Sequence, residues 1–252
     1  MTIGKRKHLK VPLKEMLKNS ELGYVMGVIF GDAYLGKNVV NLISVDKDFA
    51  LRFKKSIESV FKLKANFYLR KDEKYKQGFY YQILLFSINA ISILKTLKIS
   101  FLNYKMNKEM ARKFIQGFVD SEGNVGRREI RISNCNLLIH KRIQKLFKKF
   151  KINSKIRKTK PTSKNKNHYL SVISKYKNIK LFYKEISFSI LRKEEKLKSM
   201  LSQYHTTPKD KYNKILKMRE GGLFYKQICK KFNIPYSTIY SWCNKIRKPI
   251  LE

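Results

Sequence analysis

Acidic side chains are scarce in this sequence of 252 residues. There are 18 Asp and Glu against 57 Lys and Arg, so the formal net charge is +39 at pH 7. A folded chain with this charge repels itself, and a polyanion is the partner that would offset the repulsion. Nucleic acid is the first such partner to consider, because each neutralised phosphate releases counterions. No long helix with one basic and one apolar face is evident, so we expect no membrane partner.

Cysteines and long apolar runs are scarce as well. Cys135, Cys229 and Cys243 lack the spacing of disulfide or zinc-binding motifs, which argues against a structural metal. The longest apolar stretch, 22–35, is interrupted by glycines and an aspartate, and it falls short of the ~18 apolar residues of a membrane span. No signal-peptide core follows the basic N-terminus, so we expect an intracellular protein.

The sequence contains an internal repeat. Three short patterns recur in the same order, with offsets of 90, 89 and 87 residues. The matched segments are 27–32 with 117–122, 43–44 with 132–133, and 99–101 with 186–188. Small loop deletions would produce such a drift, so the sequence predicts two copies of one unit, over about 21–101 and 108–188. The two copies lie within a predicted core domain, 1–204.

Both copies have the same predicted order of elements, α-β-β-α-β-β-α. An apolar helix is followed by strands rich in β-branched residues, such as 39–45, and by an amphipathic helix, such as 49–61. A hairpin and a short helix complete each unit. The predicted fold class is therefore α+β, with two antiparallel sheets that carry helices on one face and leave the other exposed.

The tail, 205–252, differs from the core. Two short predicted helices, 225–232 and 237–246, are joined by a turn that ends in Pro235, a residue suited to the first turn of a helix. This pattern is typical of a helix-turn-helix, whose second helix reads DNA. We predict a small all-α DNA-binding domain here. The alternative is a plain helical cap on the core.

Two acids occupy the same place in both copies. Asp32 and Glu122 end the apolar helices, where a carboxylate opposes the helix macrodipole. Small residues spaced four apart precede both acids, so packing of the helices along these stripes would bring the acids together. Converging carboxylates repel unless they share a cation such as Mg²⁺, which supports phosphodiester hydrolysis. The alternative is two solvated helix ends. Gly123 is expected to end the second helix in the left-handed conformation.

The segments Gly-Val-Ile-Phe-Gly-Asp-Ala, 27–33, and Gly-Phe-Val-Asp-Ser-Glu-Gly, 117–123, resemble the two signature helices of double-motif (DOD-type) LAGLIDADG homing endonucleases. The resemblance covers about residues 9–203. It implies two signature helices packed at the centre of the core and two four-stranded sheets that form a basic saddle on long duplex DNA. Ala33 departs from the family pattern, which has glycine after the acid.

The resemblance also implies a metal site. Asp32 and Glu122 would bind Mg²⁺ or Mn²⁺ and support hydrolysis of one DNA strand each. The backbone carbonyls of Gly31 and Ser121 would join the metal shell. Asp120 matches the inner acid of the motif, which is not a metal ligand in the family.

A basic residue near such a site often assists the water or the leaving group. Lys175 is the predicted helper in the second copy, and Lys47 could substitute for it. For either lysine a plain phosphate contact is the alternative role.

DNA contacts are predicted on the strands of both sheets and on the last helix of the tail. The candidates mix long basic side chains with amides and hydroxyls, which can bind phosphates and base edges. They are Arg70, Gln82, Arg127, Arg128, Arg131, Arg157, Lys158, Lys160, Ser237, Thr238, Tyr240, Ser241, Asn244 and Lys245.

These observations favour a monomeric, Mg²⁺-dependent endonuclease that cuts both strands of a long DNA site. Two alternatives use the same scaffold: a DNA-binding regulator without catalytic activity, and an intron RNA maturase. Retention of both acids argues against the regulator. Neither end carries residues of an intein splice junction, so we expect a free-standing or intron-encoded protein.

Overall fold

The computed structural model describes residues 11–159, 168–204 and 206–251. The helices are α1 Leu13–Lys18, α2 Glu21–Phe30, α3 Lys47–Phe61, α4 Ile88–Ser100, α5 Lys108–Glu122, α6 Leu137–Lys148, α7 Tyr176–Glu185, α8 Leu191–Ser202, α9 Lys209–Glu220, α10 Tyr225–Phe232 and α11 Tyr236–Cys243. The strands are β1 Tyr34–Leu35, β2 Val39–Ser44, β3 Asn66–Lys71, β4 Phe79–Phe86, β5 Gly123–Val125, β6 Glu129–Asn134, β7 Lys155–Lys158, β8 Tyr169–Ser174, β9 Thr206–Thr207 and β10 Ile250–Leu251. The chain divides into two compact units, one up to Met200 and one from Leu201 onward.

The first unit contains two four-stranded antiparallel sheets with equivalent strand orders. Sheet one is ordered β1-β2-β4-β3 and sheet two β5-β6-β8-β7. Buried and more exposed residues alternate along the strands. In β2, for example, Val40 and Leu42 are buried, whereas Asn41 between them is not. One face of each sheet therefore packs on helices and the other stays open. This confirms the predicted α+β class and the αββαββα order of both copies.

Strand pairing corrects one part of the repeat alignment. Asn41 in sheet one and Arg131 in sheet two occupy equivalent places, an offset of 90 residues. The match of Ile43 with Ile132 at an offset of 89 is wrong, since Ile132 is buried and Ile43 is 39% exposed. A slip of one residue moves a side chain to the other face of a strand. The recurring Ile-Ser pair concealed this slip.

Helices α2 and α5 pack against each other between the two sheets. A Cβ on Gly27 would collide with the backbone carbonyl of Phe114, and a Cβ on Gly117 with that of Tyr24. The two backbones can approach so closely only because small residues line the contact. The predicted packing along the small-residue stripes is confirmed, and Gly23 extends the stripe of α2 by one turn.

An ion-pair network holds the N-terminal end of α2. Glu21 accepts hydrogen bonds from Arg52 of α3 at 3.2 Å, from Lys113 of α5 at 2.5 Å and from Ser56 of α3 at 2.9 Å. Burial alone raises the pKa of Glu21, but the hydrogen bonds from Arg52 and Lys113 outweigh it and lower this pKa to about 2. The network ties three helices together.

Two helices of the first unit lie outside the predicted repeat, α1 before the first copy and α8 after the second. The first turn of α8 is tied to the first copy. Arg192 donates two hydrogen bonds to Asp46, at 2.6 and 2.8 Å, and the backbone N–H of Leu191 donates to Asp48 at 2.5 Å. A helix that follows the second copy is thus fastened to the first copy.

The second unit is a three-helix cluster. Ile215, Ile228, Ile239 and Trp242 form its buried core, with one or two residues from each of α9, α10 and α11. Asn233, in the left-handed conformation with φ of 50°, ends α10 and starts the turn into α11. A short parallel pair of strands, β9 with β10, adds to the predicted helices. Among the described residues, no helix is both long and apolar enough to cross a membrane.

Candidate functional site

The two predicted acids lie at the C-terminal ends of the packed helices. Gly31 caps α2 and directly precedes Asp32, while Glu122 is the last residue of α5. A Cβ on Gly31 would collide with the side chain of Ser121 and would lie 3.3 Å from Cγ of Glu122. The helix ends therefore touch, and the residues predicted for the metal shell are brought together.

Both carboxyl groups have raised pKa values. Burial raises the pKa of Glu122 to about 7, and the negative charge of Asp32 adds to this rise. A hydrogen bond from Asn134, at 2.7 Å, and the charge of Lys193 oppose it. Asp32 keeps part of its surface in solvent, yet the packing around its carboxylate raises its pKa too, against the opposing charge of Lys193. The two carboxylates therefore repel each other when both are ionised.

Gly123 ends α5 in an extended conformation, with φ of −87° and ψ of 141°. The predicted left-handed conformation at this position is wrong. A Cβ here would collide with the carbonyl oxygen of Val119 and would lie 2.9 Å from the ring of Phe188. Glycine is required because the chain passes close to its own helix as it enters β5.

The inner acid of the second motif, Asp120, is fully enclosed. It accepts hydrogen bonds from the Tyr24 hydroxyl at 2.8 Å, the Ser189 backbone N–H at 2.9 Å and the Ser189 hydroxyl at 2.5 Å. Burial raises the pKa of Asp120 to about 6 in spite of these bonds. Asp120 thus joins α5 to α2 and to the segment before α8, and both of its carboxylate oxygens accept hydrogen bonds from Tyr24 or Ser189.

Two lysines that the sequence analysis missed lie at the ends of these helices. Lys193 of α8 is 8% exposed, donates a hydrogen bond to the carbonyl oxygen of Asp120 at 2.5 Å, and is the lysine whose charge opposes the pKa rise of both acids. Lys98 of α4 lies 3.4 Å from the carbonyl oxygen of Ile29, in the last turn of α2. Cations at helix C-termini stabilise the exposed carbonyls. No spacing in the sequence distinguishes these two lysines from the many others.

The predicted helper Lys175 is not brought to Glu122. Ser174, the residue before Lys175, pairs with Glu129, the first residue of β6. Asn134, which donates the hydrogen bond to Glu122, is the last residue of β6. Five residue steps along the strand separate these ends, which corresponds to about 17 Å. Lys175 itself is exposed, with φ of 70°.

Lys47, the substitute named for Lys175, opens α3 just after the end of β2. By the pairing of β1 with β2, this is the end of β2 nearest Asp32. Lys47 therefore lies closer in the fold to its acid than Lys175 lies to Glu122.

The donors at the paired helix ends suit a hard divalent cation. Asp32 and Glu122 offer carboxylate oxygens, the backbone of Gly31 lies against the side chain of Ser121, and the mutual repulsion of the acids would be relieved by positive charge. Oxygen ligands of this kind are preferred by Mg²⁺ and Mn²⁺. Within the described ranges, no three His, Cys, Asp or Glu side chains form a metal-binding cluster. Two carboxylates would thus leave coordination positions for water and phosphate oxygens.

The predicted DNA-contacting residues of sheet one lie together on its open face. Gln82 is opposite Tyr68 of β3, and Arg70 is opposite Tyr80 of β4. Arg70 donates to the Gln82 side-chain oxygen at 3.4 Å, and Gln82 donates to Asn41 at 3.2 Å. Asn41 is a member of this polar row that the sequence analysis did not name.

The predicted DNA-contacting residues of sheet two lie on both faces of the sheet and in a turn. Arg131 and Arg157 lie on the open face, whereas Lys158 is an exposed residue of the opposite face. Arg127 and Arg128 are exposed in the turn between β5 and β6. A pocket of about 390 Å³ is lined by Arg127, Arg128, Glu129 and Arg131. The predicted contact Lys160 lies outside the described residues.

The predicted residues of the tail lie in and after α11. Ser237, Tyr240, Asn244 and Lys245 are exposed, while Thr238 and Ser241 are half-buried. Asn244 donates hydrogen bonds to the Tyr225 hydroxyl at 3.0 Å and to the Tyr240 carbonyl at 2.9 Å. Tyr236 and Tyr240 stack, with ring centroids 6.2 Å apart. One face of α11 is therefore polar, aromatic and accessible.

Comparison with known families identifies the second copy. Residues 109–187 match the family model of a LAGLIDADG-like domain. This segment contains α5, Glu122 and sheet two, so the resemblance drawn from the motif of the second copy is confirmed at the level of the domain.

Two relatives from Methanocaldococcus jannaschii show different coverage. The uncharacterized protein MJ0398 is 27% identical over 209 residues, which cover 76% of this chain and 75% of that protein. The probable translation initiation factor IF-2 is 30% identical over 257 residues, which cover 94% of this chain and 21% of that protein. The chain thus spans about a fifth of the second relative.

Solved structures share the fold. The homing endonuclease I-DmoI is 17% identical with a TM-score of 0.52, and the match covers 70% of this chain and 97% of that chain. It has been solved in complex with DNA and Ca and with DNA and Mn. Full-length DUF199/WhiA from Thermatoga maritima is 14% identical with a TM-score of 0.52, covering 94% of this chain and 93% of that chain. At these identities the likeness concerns the fold alone.

Proposed function

We propose that this chain is a monomeric, site-specific endonuclease that hydrolyses both strands of a long DNA duplex and requires Mg²⁺ or Mn²⁺. The observation that carries the proposal is the meeting of Asp32 and Glu122 at the ends of α2 and α5, where both carboxyl groups have raised pKa values. Two acids that lie together without enough positive charge to neutralise them destabilise the fold, and a cost of this kind is typical of a functional site. Because one chain supplies both acids, a monomer suffices.

The residues of the chain have distinct parts in this proposal. Asp32 and Glu122 would hold the cation, which when bound would supply Lewis-acid stabilisation of the phosphate and activation of water. Lys193 and Lys98 hold the carbonyls of the last helical turns in place. The open faces of the two sheets bind the duplex, and the net charge of +39 supports binding to its phosphates. Lys175, remote from Glu122, is then a phosphate contact.

The relatives support a mobile origin. Over 94% of its length, this chain matches a segment that makes up 21% of the probable initiation factor IF-2. Over 72% of its length, it matches a segment that makes up 21% of the DNA-directed RNA polymerase subunit Rpo1C. A similar segment within two proteins of different function is the distribution expected of an inserted, mobile element. A homing endonuclease cuts DNA that lacks such an element, so the natural target is a site without the insertion.

The test is whether the full chain cleaves duplex DNA that spans an insertion site from which the inserted element is absent. We expect cuts in both strands with Mg²⁺ and none with EDTA. Asp32→Asn and Glu122→Gln should each reduce cleavage about 100-fold or more while sparing binding in Ca²⁺. Glu195→Gln, which removes an exposed carboxylate of α8, is the matched control and should cut normally.

A second candidate is a DNA-binding protein that does not cut. The match to full-length DUF199/WhiA extends over 94% of this chain, whereas the match to the homing endonuclease I-DmoI covers 70%, so likeness of fold does not by itself favour cleavage. Tight binding without metal-dependent cleavage on any site, by a chain whose acids are intact, would establish this second candidate instead.

In both candidates we propose that α10 and α11 form a DNA-binding helix-turn-helix. The accessible face of α11 supports this, as does the tight turn at Asn233. Tyr240→Ala and Lys245→Ala should each weaken DNA binding in the full chain. Lys214→Ala on the exposed side of α9 is the charge-matched control. Equal effects of Lys245→Ala and Lys214→Ala would leave the tail with a general electrostatic role only.

A further inference from the structure

The open faces of the two sheets differ at equivalent positions. Strand pairing aligns the sheets residue by residue, and at three positions a neutral side chain of sheet one stands where sheet two has a cation. The three pairs are Asn41 and Arg131, Asn66 and Lys155, and Tyr68 and Arg157. At two further positions the difference is reversed, since sheet one has the amide Gln82 and the cation Arg70 where sheet two has Leu170 and Thr159. Duplication therefore preserved the geometry while the chemistry of the two faces diverged.

Sheet one presents a row of amides with aromatic neighbours. The bonds from Arg70 to Gln82 and from Gln82 to Asn41 fix the orientation of both amides. The Arg70 guanidinium lies 4.6 Å over the ring of Tyr68, which holds it along the sheet surface. Each amide retains a further donor hydrogen or acceptor lone pair. Amides pair with the N6 and N7 edge of adenine, and apolar side chains such as the 39% exposed Ile43 contact the thymine methyl group.

Sheet two presents cations instead. Arg157 and Lys155 are exposed on β7. The Nε of Arg131 donates a hydrogen bond to Glu129 at 2.5 Å. The pocket of about 390 Å³ beside Arg131 is open to a group from outside the protein. Arginine binds the O6 and N7 atoms of guanine with two parallel hydrogen bonds, and lysine is suited to phosphate.

We propose that the two sheets read half-sites of different base composition, with adenine and thymine under sheet one and guanine under sheet two. Asn41 and Gln82 determine specificity in one half-site, and Arg131 and Arg157 in the other. The target would therefore be an asymmetric sequence, although the fold that reads it is nearly symmetric. This inference rests on the proposed binding of duplex DNA and does not depend on cleavage.

The test is selection of binding sites by the full chain from a randomised duplex library in Ca²⁺. We expect a site with one half rich in A·T pairs and the other enriched in guanine. Gln82→Ala should weaken binding to the selected site about tenfold and relax the preference for adenine in one half only. Arg157→Tyr, which installs the residue of sheet one, should relax the preference for guanine in the opposite half by a similar factor.

Lys71→Asn is the matched control, because Lys71 neighbours Arg70 but lies on the other face of β3. Its selected site should be unchanged. All substituted side chains are on strand surfaces, and thermal melting of each variant verifies that the fold is kept.

Several outcomes would overturn the inference. They are two half-sites of equal composition, loss of preference in the same half for Gln82→Ala and Arg157→Tyr, and uniform weakening on all sequences for Arg157→Tyr, which would make it a phosphate contact. If no duplex is selected, DNA binding and this inference fail together. If a site of the expected composition is bound but not cut with Mg²⁺, the nuclease proposal alone fails.

Discussion

The two ends of the α2 and α5 helix pair treat carboxylates in opposite ways. At the N-terminal end of α2, Glu21 is surrounded by Arg52 and Lys113, and its pKa is lowered to about 2. At the C-terminal ends, Asp32 and Glu122 face each other, and the pKa of Glu122 is raised to about 7. The acids have the same chemistry, and the same two helices carry them. What differs is the number of cations that the surrounding helices bring to each end.

This contrast separates an acid that stabilises the fold from acids available for function. Fully paired carboxylates hold elements together and have little capacity left for a ligand. Carboxylates with raised pKa values cost stability in the unliganded protein and gain most from a bound cation. The end at Glu21, here the fastened end, is therefore stabilised by ion pairs. The end at Asp32 and Glu122, here the open end, has carboxylates available to bind a ligand.

The largest effect on stability is expected at the fastened end. Glu21→Gln removes a carboxylate whose pKa falls from 4.5 to about 2 on folding, which corresponds to about 2–3 kcal/mol of stability at neutral pH once solvent screening of this half-buried group is allowed for. Urea unfolding should show a loss of this order. A loss below about 0.5 kcal/mol would mean that the network contributes no more than an exposed ion pair.

The opposite sign is expected at the open end. Glu122→Gln should stabilise the metal-free protein at pH 8 by about 2 kcal/mol, because it removes a buried charge that repels Asp32. Urea unfolding with EDTA measures this gain. Addition of Mg²⁺ should reverse the order, so that the unsubstituted protein becomes the more stable of the two. No reversal at saturating Mg²⁺ would contradict the metal site.

The pH dependence of stability follows from the same pKa values. The contribution of Glu21 is present above pH 4.5, its unfolded value, and is lost as the pH falls towards 2. The contribution of Glu122 is present below pH 4.5 and is lost as the pH rises through about 7. Unfolding free energies measured from pH 2 to 8 with EDTA should therefore rise and then fall. Glu21→Gln should flatten the rise below pH 4.5, and Glu122→Gln should reduce the fall, leaving the part due to Asp32 and Asp120, whose pKa values are also raised.

A smaller effect is expected from the buried lysine that the two open-end acids share. Lys193→Met removes a positive charge that lowers the pKa values of both Asp32 and Glu122, so both pKa values should rise further. Carboxyl carbon NMR titration of the metal-free protein would measure this. Lys193→Arg is the control that keeps the charge. If neither pKa moves in Lys193→Met, the common influence of Lys193 is wrong.

The smallest effect is expected from the one hydrogen bond that distinguishes the two acids. Asn134→Ala removes the donor to Glu122, so the pKa of Glu122 should rise while that of Asp32 stays unchanged. The same NMR titration resolves the two groups. Equal changes at both acids would indicate a general rearrangement of the helix ends and not the loss of one bond.

Much of the fold was predictable because it depends on local patterns. The apolar helix before Asp32, the duplicated helix before Glu122 and the strands between them follow from periodicity and residue type. The convergence of the acids followed from the spacing of Gly27 with Gly31 and of Gly117 with Ser121, since small residues four apart permit close helix packing. The slip at Ile43 shows the limit, because a pattern of two residues does not define the face of a strand.

The residues alone were enough to predict two similar units, a central helix ending in an acid in each unit, and a strongly basic chain. Which cations reach those acids depends on how the chain folds. Lys193 is distant in sequence from Asp32 and comes near it because α8 is fastened to the first copy by Arg192 and Asp46. Among 57 basic residues, proximity is set by the path of the chain and by strand register, neither of which is encoded in a single residue.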